Sequence, residues 1–381
     1  ERDFESLPTM LPLAPAQMQL MAKLTAKYAD SLKDARIART KAGVSWKMQL
    51  HSPAISVLLP WLSPQRHLSQ FLRAAALLAH QQGDDAAAVE YVRDILAASR
   101  ACDRSPFLVS HLVAIGIAAE AERTLVKITP DLRIADADRP APGATGGLPA
   151  SVLPRENSTG SKLPVAPIPQ TPGIRPASRE QVEALLVELL DERPSREGFV
   201  RSMQGERLFE VDTAICVTNG TLSQSDLYYS PRPGTFRDGL FNLFARTARP
   251  LILNEARAML AWSSQMVEAA GEADLPTTTA KIPTMPARSL RHPLLSMLAP
   301  ALNTVANRHY ANVYQLRKIA LGLAGRMYEV DHGAVPQRLE QLVPRYVAKI
   351  PLDPVKGGGA MMPFGPTTQA TTKAVGGKAV Q

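Results

Sequence analysis

Two carboxylates, Glu206 and Glu210, stand four residues apart, the spacing that places two side chains together on one face of a helix. Paired carboxyls carry out acid–base chemistry when their pKa values are split, with one protonated and the other ionised. The same spacing is typical of a solvated helix face, and this is the interpretation we adopt for the pair. His309 is the other candidate acid or base. Its place on an apolar helical stripe favours a buried histidine with a hydrogen-bond partner.

The sequence carries none of the short motifs that mark a nucleotide, hydrolase or zinc-protease site. It has no phosphate-binding loop, no nucleophile elbow and no H-E-x-x-H helix. No two of its seven histidines stand at the i,i+4 spacing that would share a metal ion from one helix face. Asp136-Ala-Asp138 has the spacing of a metal–diphosphate ligand pair, but it lies in a proline-rich segment and we assign it no function. We therefore predict no cofactor, no metal ion and no small-molecule substrate.

The cysteines and one pair of aspartates have structural explanations. Cys102 and Cys216 match neither a zinc pattern nor a C-x-x-C redox pair, so we interpret them as two small buried thiols. A disulfide between them stays open. Gly83 precedes Asp84-Asp85, an order typical of one helix that ends at glycine and another that begins at capping aspartates.

Aromatic and arginine side chains alternate between residues 228 and 249, where Phe236 lies between Arg232 and Arg237. Aromatic stacking combined with guanidinium contacts is a way to bind single-stranded nucleic acid. The phenylalanines of this region also recur at helical spacing, which favours a buried helix face with the arginines outside.

Positive charge is concentrated in the last quarter of the chain. The whole chain has a net charge of +8, whereas residues 281–381 alone hold 13 Lys and Arg against four Asp and Glu, a net charge of +9. This asymmetry indicates either an anionic partner, such as a membrane surface, nucleic acid or an acidic protein, or an ordinary solvated surface. The candidate interaction residues from both regions are Arg232, Phe236, Arg237, Arg317, Lys318, Arg345 and Lys349.

Apolar residues recur every three or four positions through most of the chain, which predicts a mainly α protein. Alanine-rich segments with short connections favour antiparallel helical hairpins, similar in outline to tetratricopeptide units. Phe199, Met203 and Leu208 are predicted to face the core. The predicted helices are Pro15 to about Thr40, His67 to Gln82, Asp85 to Ala101, a segment capped by Ser105 that runs to about Lys127, Arg179 to Glu192 capped by Ser178, a segment capped by Ser195 that runs to about Ile215, residues 236–271 as a helix pair or one kinked helix interrupted at Pro250, about Leu298 to Gly333, and Gln337 to Val343.

Proline is the compositional outlier, with 32 residues, ten of them within residues 129–178. That segment has no aromatic residue and cannot bury enough apolar area to offset the entropy of ordering it. We therefore predict two helical units joined by a Pro-rich linker. The predicted division is an N-terminal helical hairpin array (1–128), a disordered linker (129–178), a helical region (179–271), a loop (272–293), a long helix with a short helix and a docked P-x-D-P strip (294–364), and a flexible tail (365–381).

One segment resembles a known group of proteins. Residues 332–354, HGAVPQRLEQLVPRYVAKIPLDP, follow the pattern HG-x-x-P-x-x-L-x-x-L-x-P-x-Y and then P-x-D-P. They resemble a C-terminal segment of uncharacterised secreted or membrane-anchored bacterial proteins, notably planctomycete ones, and a related arrangement closes the globular part of type II secretion pseudopilins. Gly205-Glu-Arg207 also fits the uncharacterised group. Lys356-Gly-Gly-Gly359 departs from the pseudopilin pattern, so a calcium site at Asp353 is not expected.

The resemblance implies a protein outside the cytoplasm, secreted or membrane-anchored, and implies no enzymatic activity. The longest apolar-rich stretch, residues 108–119, is too short to cross a bilayer. We therefore expect a non-catalytic interaction or scaffold protein with unidentified protein partners. Two other hypotheses stay open. One is an enzyme whose helical groove contains His309, Glu206 or Glu210, and the other is a binder of anionic surfaces through residues 281–381.

Overall fold

The computed structural model describes residues 7–135, 173–222, 226, 247–283 and 302–363. These residues are mainly α-helical, which confirms the predicted fold class, and their β-structure is limited to three isolated bridges. The helices are α1 (Pro15–Lys27), α2 (Ala29–Arg39), α3 (Leu62–Gln81), α4 (Asp85–Cys102), α5 (Leu108–Ile128), α6 (Arg179–Leu190), α7 (Arg193–Asn219), α8 (Arg249–Ala270), α9 (Leu275–Lys281) and α10 (Leu302–His332). Short 3₁₀ turns lie at Ala54–Ser56, Thr129–Asp131 and Leu339–Leu342.

Helices α3, α4 and α5 pack against one another and form the centre of the N-terminal array. Small side chains such as Ala76, Ala88 and Ala121 are fully buried between them, which brings the helix axes close together. Gly83 has a φ of +92°, and the Asp84 carboxylate accepts a hydrogen bond from the Ala87 amide at 2.9 Å. The predicted hairpin turn and helix cap are thus confirmed, while the detailed likeness to a tetratricopeptide unit stays a prediction.

The larger of two apolar cores includes residues from both sides of the proline-rich segment. Leu125 of α5, Leu185 of α6 and Met327 of α10 all belong to it and are fully buried. The second core lies mainly between α7 and α8, with Leu108 and Val305 at its border. These shared contacts place α6 and α10 directly on the N-terminal array.

The two ends of the predicted linker are ordered. Ile134 forms a bridge with Ala177, and Asp84 forms a bridge with Arg175. Residues 129–135 and 173–178 therefore differ from the prediction of disorder, because backbone pairing to a distant segment offsets their poor apolar content. Residues 136–172 lie outside the described part of the chain.

Two glycines allow α7 to approach the connection between α4 and α5. A Cβ atom on Gly205 would lie 1.6 Å from the carbonyl oxygen of Pro106, and one on Gly198 would lie 2.6 Å from the Asp103 side chain. Real Cβ contacts never reach such distances, so both positions require glycine. The seven-residue spacing of the two glycines places both on the same face of α7.

Several predicted helix limits in the first half of the chain are wrong. The helix predicted over Pro15 to Thr40 is broken at Tyr28. Ser105 does not cap α5, which begins three residues later; its buried hydroxyl instead accepts a hydrogen bond from Ser110. Ser195 lies inside α7, because Pro194 fits the first helical turn and the helix begins at Arg193. The predicted cap at Ser178 is confirmed by its hydrogen bond from Gln181.

Further differences occur after residue 200. Phe199 and Met203 are buried as predicted, but Leu208 is 68% exposed because it lies on the solvent side of α7. Pro250 stands in the first turn of α8, which agrees with the predicted break near this proline, while residues 236–246 lie outside the described part of the chain. The predicted loop 272–293 contains α9, whose first turn is capped by Asp274. Leu339–Leu342 is a 3₁₀ turn and not an α-helix.

The segment after α10 folds back onto that helix. Gly333, with a φ of +68°, ends α10, and the chain returns so that Arg317 donates a hydrogen bond to the carbonyl oxygen of Leu352 at 2.5 Å. The carboxylate of Asp353 accepts hydrogen bonds from the Val355 and Lys356 amides at 2.9 Å. These bonds turn the chain, and they occupy one oxygen of the carboxylate that a calcium ion would need.

Candidate functional site

The carboxyl pair predicted from its four-residue spacing lies at the interface between α7 and α8. Glu210 is 1% exposed, and neither of its carboxyl oxygens has a hydrogen-bond partner. Glu206 is partly exposed. The interpretation of the pair as a solvated helix face is therefore wrong for Glu210, because α8 covers that turn of α7.

Burial makes both carboxyls hard to ionise. Removal from water raises the pKa of Glu206 to about 7. Burial, reinforced by the nearby Glu206 carboxyl, raises the pKa of Glu210 to about 8, and the Ser263 hydroxyl opposes this rise only in part. Near neutral pH the pair therefore holds one or two protons, which is the property that the sequence hypothesis required for acid–base work.

A second cluster joins α5, α7 and α10 through two buried histidines. Nδ1 of His111 donates a hydrogen bond of 2.7 Å to the carboxylate of Asp103, and Nε2 of His111 lies 3.3 Å from Nδ1 of His309. Phe199 of α7 stacks on His309 with 4.7 Å between the ring centroids. His111, His309 and Asp103 are all less than 5% exposed.

The carboxylate fixes the position of one proton in this cluster. A carboxylate only accepts, so His111 carries a proton on Nδ1. In the 3.3 Å contact between Nε2 of His111 and Nδ1 of His309, one ring nitrogen donates and the other accepts. Burial lowers the pKa of His309 well below its ordinary value, and the neighbouring His111 adds to this effect. The sequence hypothesis of a buried histidine with a hydrogen-bond partner is confirmed.

We expect His309 to stay neutral down to a pH well below 6.5. The unfolded chain takes up a proton on this residue near pH 6.5 whereas the folded chain does not, so folding loses stability as the pH falls below about 6.5. A pH titration of the imidazole nitrogens by heteronuclear NMR measures this directly, with free histidine as the reference. Protonation of folded His309 at or above the pH of the free amino acid would contradict the assignment.

His309 and the two glutamates do not converge in one cavity. The described cavities are lined by none of the three. His309 packs around Phe199 in the first two turns of α7, while Glu206 and Glu210 lie two and three turns further along that helix. Among the described residues the arrangement thus provides two separate buried clusters.

One apolar cavity is a groove between α5, α10 and the segment after α10. It has a volume of about 590 Å³, and we call it the α5–α10 groove. Val126, Ile319, Val335 and Pro336 are among its apolar residues, and Gly322 and Gly325 of α10 lie along its floor. Lys318, Arg326 and Glu329 stand at its edge. The hydroxyl of Thr129, which also lines it, is buried without a hydrogen-bond partner among the described residues.

Sequence reasoning missed this groove. The available signal was the Gly322-x-x-Gly325 spacing on one face of the long helix, followed after the turn by the exposed Val335 and the buried Pro336. Small residues at that spacing leave a channel on a helix surface. The α5 wall of the channel is about 190 residues away in sequence from the α10 wall, so periodicity alone could not bring the two together.

The predicted interaction residues of the basic quarter have different surroundings. Arg317 is largely buried and binds both carboxylate oxygens of Glu192, so it holds α10 to α7. Arg345 lies 3.2 Å from Asp331 and remains 62% exposed. Lys318 stands at the edge of the α5–α10 groove, and Lys349 lines a second cavity of about 580 Å³. Arg232, Phe236 and Arg237 lie outside the described residues, as do Asp136 and Asp138.

The remaining polar predictions also have clear outcomes. Cys102 and Cys216 are both free and buried, and burial raises the pKa of Cys102 to about 12, so this thiol is unreactive. Asp85 is not a cap. It is fully buried and accepts hydrogen bonds from His80 at 2.5 Å and from Arg133 at 2.6 Å.

Within the described ranges, no three His, Cys, Asp or Glu side chains are grouped so that they could hold a metal ion. None of the helices in those ranges combines the length and the apolar character needed to cross a membrane. In comparisons with known proteins, no family model, no curated protein and no solved structure matches this chain.

Proposed function

We propose that the chain is a non-catalytic interaction protein that binds an apolar segment of a partner polypeptide in the α5–α10 groove. The observation that carries the proposal is the groove itself, with about 590 Å³ of space, apolar walls and a charged edge. Binding sites on proteins commonly have about this volume and this distribution of apolar and polar groups.

The walls of the groove suit an extended or helical peptide. Val126 and Val335 keep 37% and 57% of their surface exposed on its opposite sides, so an incoming side chain can contact both. The lining helices belong to the large core, and a rigid frame lowers the entropy cost of binding.

A location outside the cytoplasm is the part of the proposal that rests on the resemblance of residues 332–354. In this view the helical array is a scaffold that presents the groove to another protein of the cell envelope. A reporter fusion followed by cell fractionation tests the location independently of the groove.

We expect a display library of random peptides, selected on the purified chain, to yield ligands that depend on the groove. Val335→Asp should weaken them by about tenfold or more, because it places a charge on an apolar wall. Gly325→Leu should have a similar effect by filling the floor, where an added Cβ itself fits because its nearest neighbour, Pro336, would be 3.7 Å away. Calorimetric titration of each variant with a selected peptide gives the affinities.

Leu58→Asp is the matched control, because Leu58 is an apolar side chain that is 82% exposed and lies outside the groove. Its peptide affinity should equal that of the unchanged chain. Ligands that bind all three variants equally, or a selection that enriches no peptide, would rule out the groove as the binding site.

A further inference from the structure

The α7–α8 interface encloses a carboxyl group whose charge is not balanced by a cation among the described residues. Glu210 is 1% exposed, and both its oxygens lack a hydrogen-bond partner. The hydroxyl of Ser263 opposes the raised pKa of Glu210 only in part, because it donates to the carbonyl oxygen of Met259 at 2.8 Å within its own helix. Glu206, one turn earlier on α7, adds a second carboxyl that repels any charge on Glu210.

The charged groups of the surrounding elements do not compensate this pair. On α7, Arg207 points to Ser264 at 3.4 Å, and Asp212 accepts a hydrogen bond from the Ala54 amide. On α8, Glu255 is also buried and lies about two turns from Ser263, whereas Arg249, Arg257 and Glu268 are exposed. The connection between α4 and α5 presents the uncharged Pro106 against Gly205. Among the described residues, no cation favours the ionised form of Glu206 or Glu210.

We propose that protons on Glu206 and Glu210 hold the α7–α8 interface closed, and that ionisation of the two carboxyls loosens it. A buried carboxylate without a partner costs several kcal/mol, whereas the neutral acid is tolerated among apolar side chains. The pair is thus a pH-sensitive device built into the fold, and it is independent of the peptide groove proposed above.

The direction of the effect follows from the two pKa values. Both lie above the ordinary value of 4.5, at about 7 and about 8. The folded chain therefore binds more protons than the unfolded chain from about pH 4.5 to about pH 8, and stability falls as the pH rises through this window. Because the two carboxyls interact, their protons are lost in two steps, and neither step can be assigned to one residue alone.

The test measures how easily the interface opens at pH 6 and at pH 9 in the full chain. We expect the opening or unfolding constant to rise by about 100-fold or more between these values. A carboxyl that is ionised in the unfolded chain but protonated in the folded chain raises this constant about tenfold per pH unit, until the pH reaches its folded pKa near 8. In Glu210→Gln this rise should shrink to about tenfold, and in the double variant with Glu206→Gln it should vanish. Urea unfolding gives the global constant, and amide hydrogen exchange shows whether α7 and α8 open before α4.

Glu197→Gln is the matched control, because Glu197 is an exposed glutamate on the same helix, with a side chain 62% accessible. Its pH profile should match that of the unchanged chain. An NMR titration of ¹³C-labelled glutamate in the unchanged chain gives a second reading that needs no variant to fold. Glutamate carboxyls that all ionise near pH 4.5, or a Glu210→Gln profile as steep as that of the unchanged chain, would overturn the proposal.

Discussion

Gly205→Ala should destabilise the chain by more than about 3 kcal/mol, because the new Cβ would lie 1.6 Å from the carbonyl oxygen and 2.7 Å from the carbonyl carbon of Pro106. Both neighbouring atoms belong to the backbone, so no side-chain rotation relieves the overlap. Either α7 or the connection between α4 and α5 must move. Such a movement would separate Phe199 from His309 and disturb the packing that buries Glu210. Urea unfolding monitored by circular dichroism measures the loss.

Gly116→Ala on α5 is the matched control, because nothing lies within 4 Å of the Cβ that it would add. Alanine is the better helix former by about 1 kcal/mol, so this variant should be slightly more stable than the unchanged chain. The same substitution, glycine to alanine, is thus expected to lower the stability of the chain at Gly205 and to raise it at Gly116. If the free energy of unfolding of Gly205→Ala lay within about 1 kcal/mol of that of the unchanged chain, α7 would not be held against Pro106.

Local patterns predicted much of the helical architecture. The Gly83-Asp84 turn, the cap at Ser178 and the end of the long helix at Gly333 depend on backbone conformation and on hydrogen bonds within a few residues. Periodicity also placed Phe199 and Met203 in a core. Such features are visible in sequence because the interactions that create them are short in range.

The predictions that were wrong depended on contacts between distant segments. Ser105 has the residue type of a cap, but its hydroxyl is occupied by Ser110 in a buried corner. Glu206 and Glu210 have the spacing of a solvated face, yet α8 covers Glu210 across a connection that begins after residue 222. The pairing of Ile134 with Ala177 ordered residues whose composition predicts disorder. In each case the deciding contact comes from a residue outside the short sequence window over which the periodicity of apolar residues is evaluated.

Asp85→Ala should destabilise the chain by about 3 kcal/mol, because it removes a fully buried acceptor and leaves the buried His80 ring nitrogen and the Arg133 amide without a partner. The carboxylate of Asp85 accepts hydrogen bonds from Nδ1 of His80, from Nε of Arg133 and from the Arg133 backbone amide. Burial opposes its ionisation, but the hydrogen bonds from His80 and Arg133 outweigh this and lower its pKa. Its contribution is therefore complete at neutral pH and is lost as the pH falls through the lowered pKa.

Asp84→Ala is the control that separates this network from helix capping, the role that the sequence assigned to both aspartates. Asp84 caps α4 through the Ala87 amide, and its contact with Arg175 is an exposed ion pair at 3.1 Å. Loss of such a cap costs about 1 kcal/mol, so Asp84→Ala should be much milder than Asp85→Ala. Thermal unfolding of both variants at neutral pH makes the comparison. Asp85 joins α3, α4 and Arg133, so it has more partners to lose than a residue that caps a single helix. Equal losses of stability in the two variants would therefore show that Asp85 acts only as a second cap.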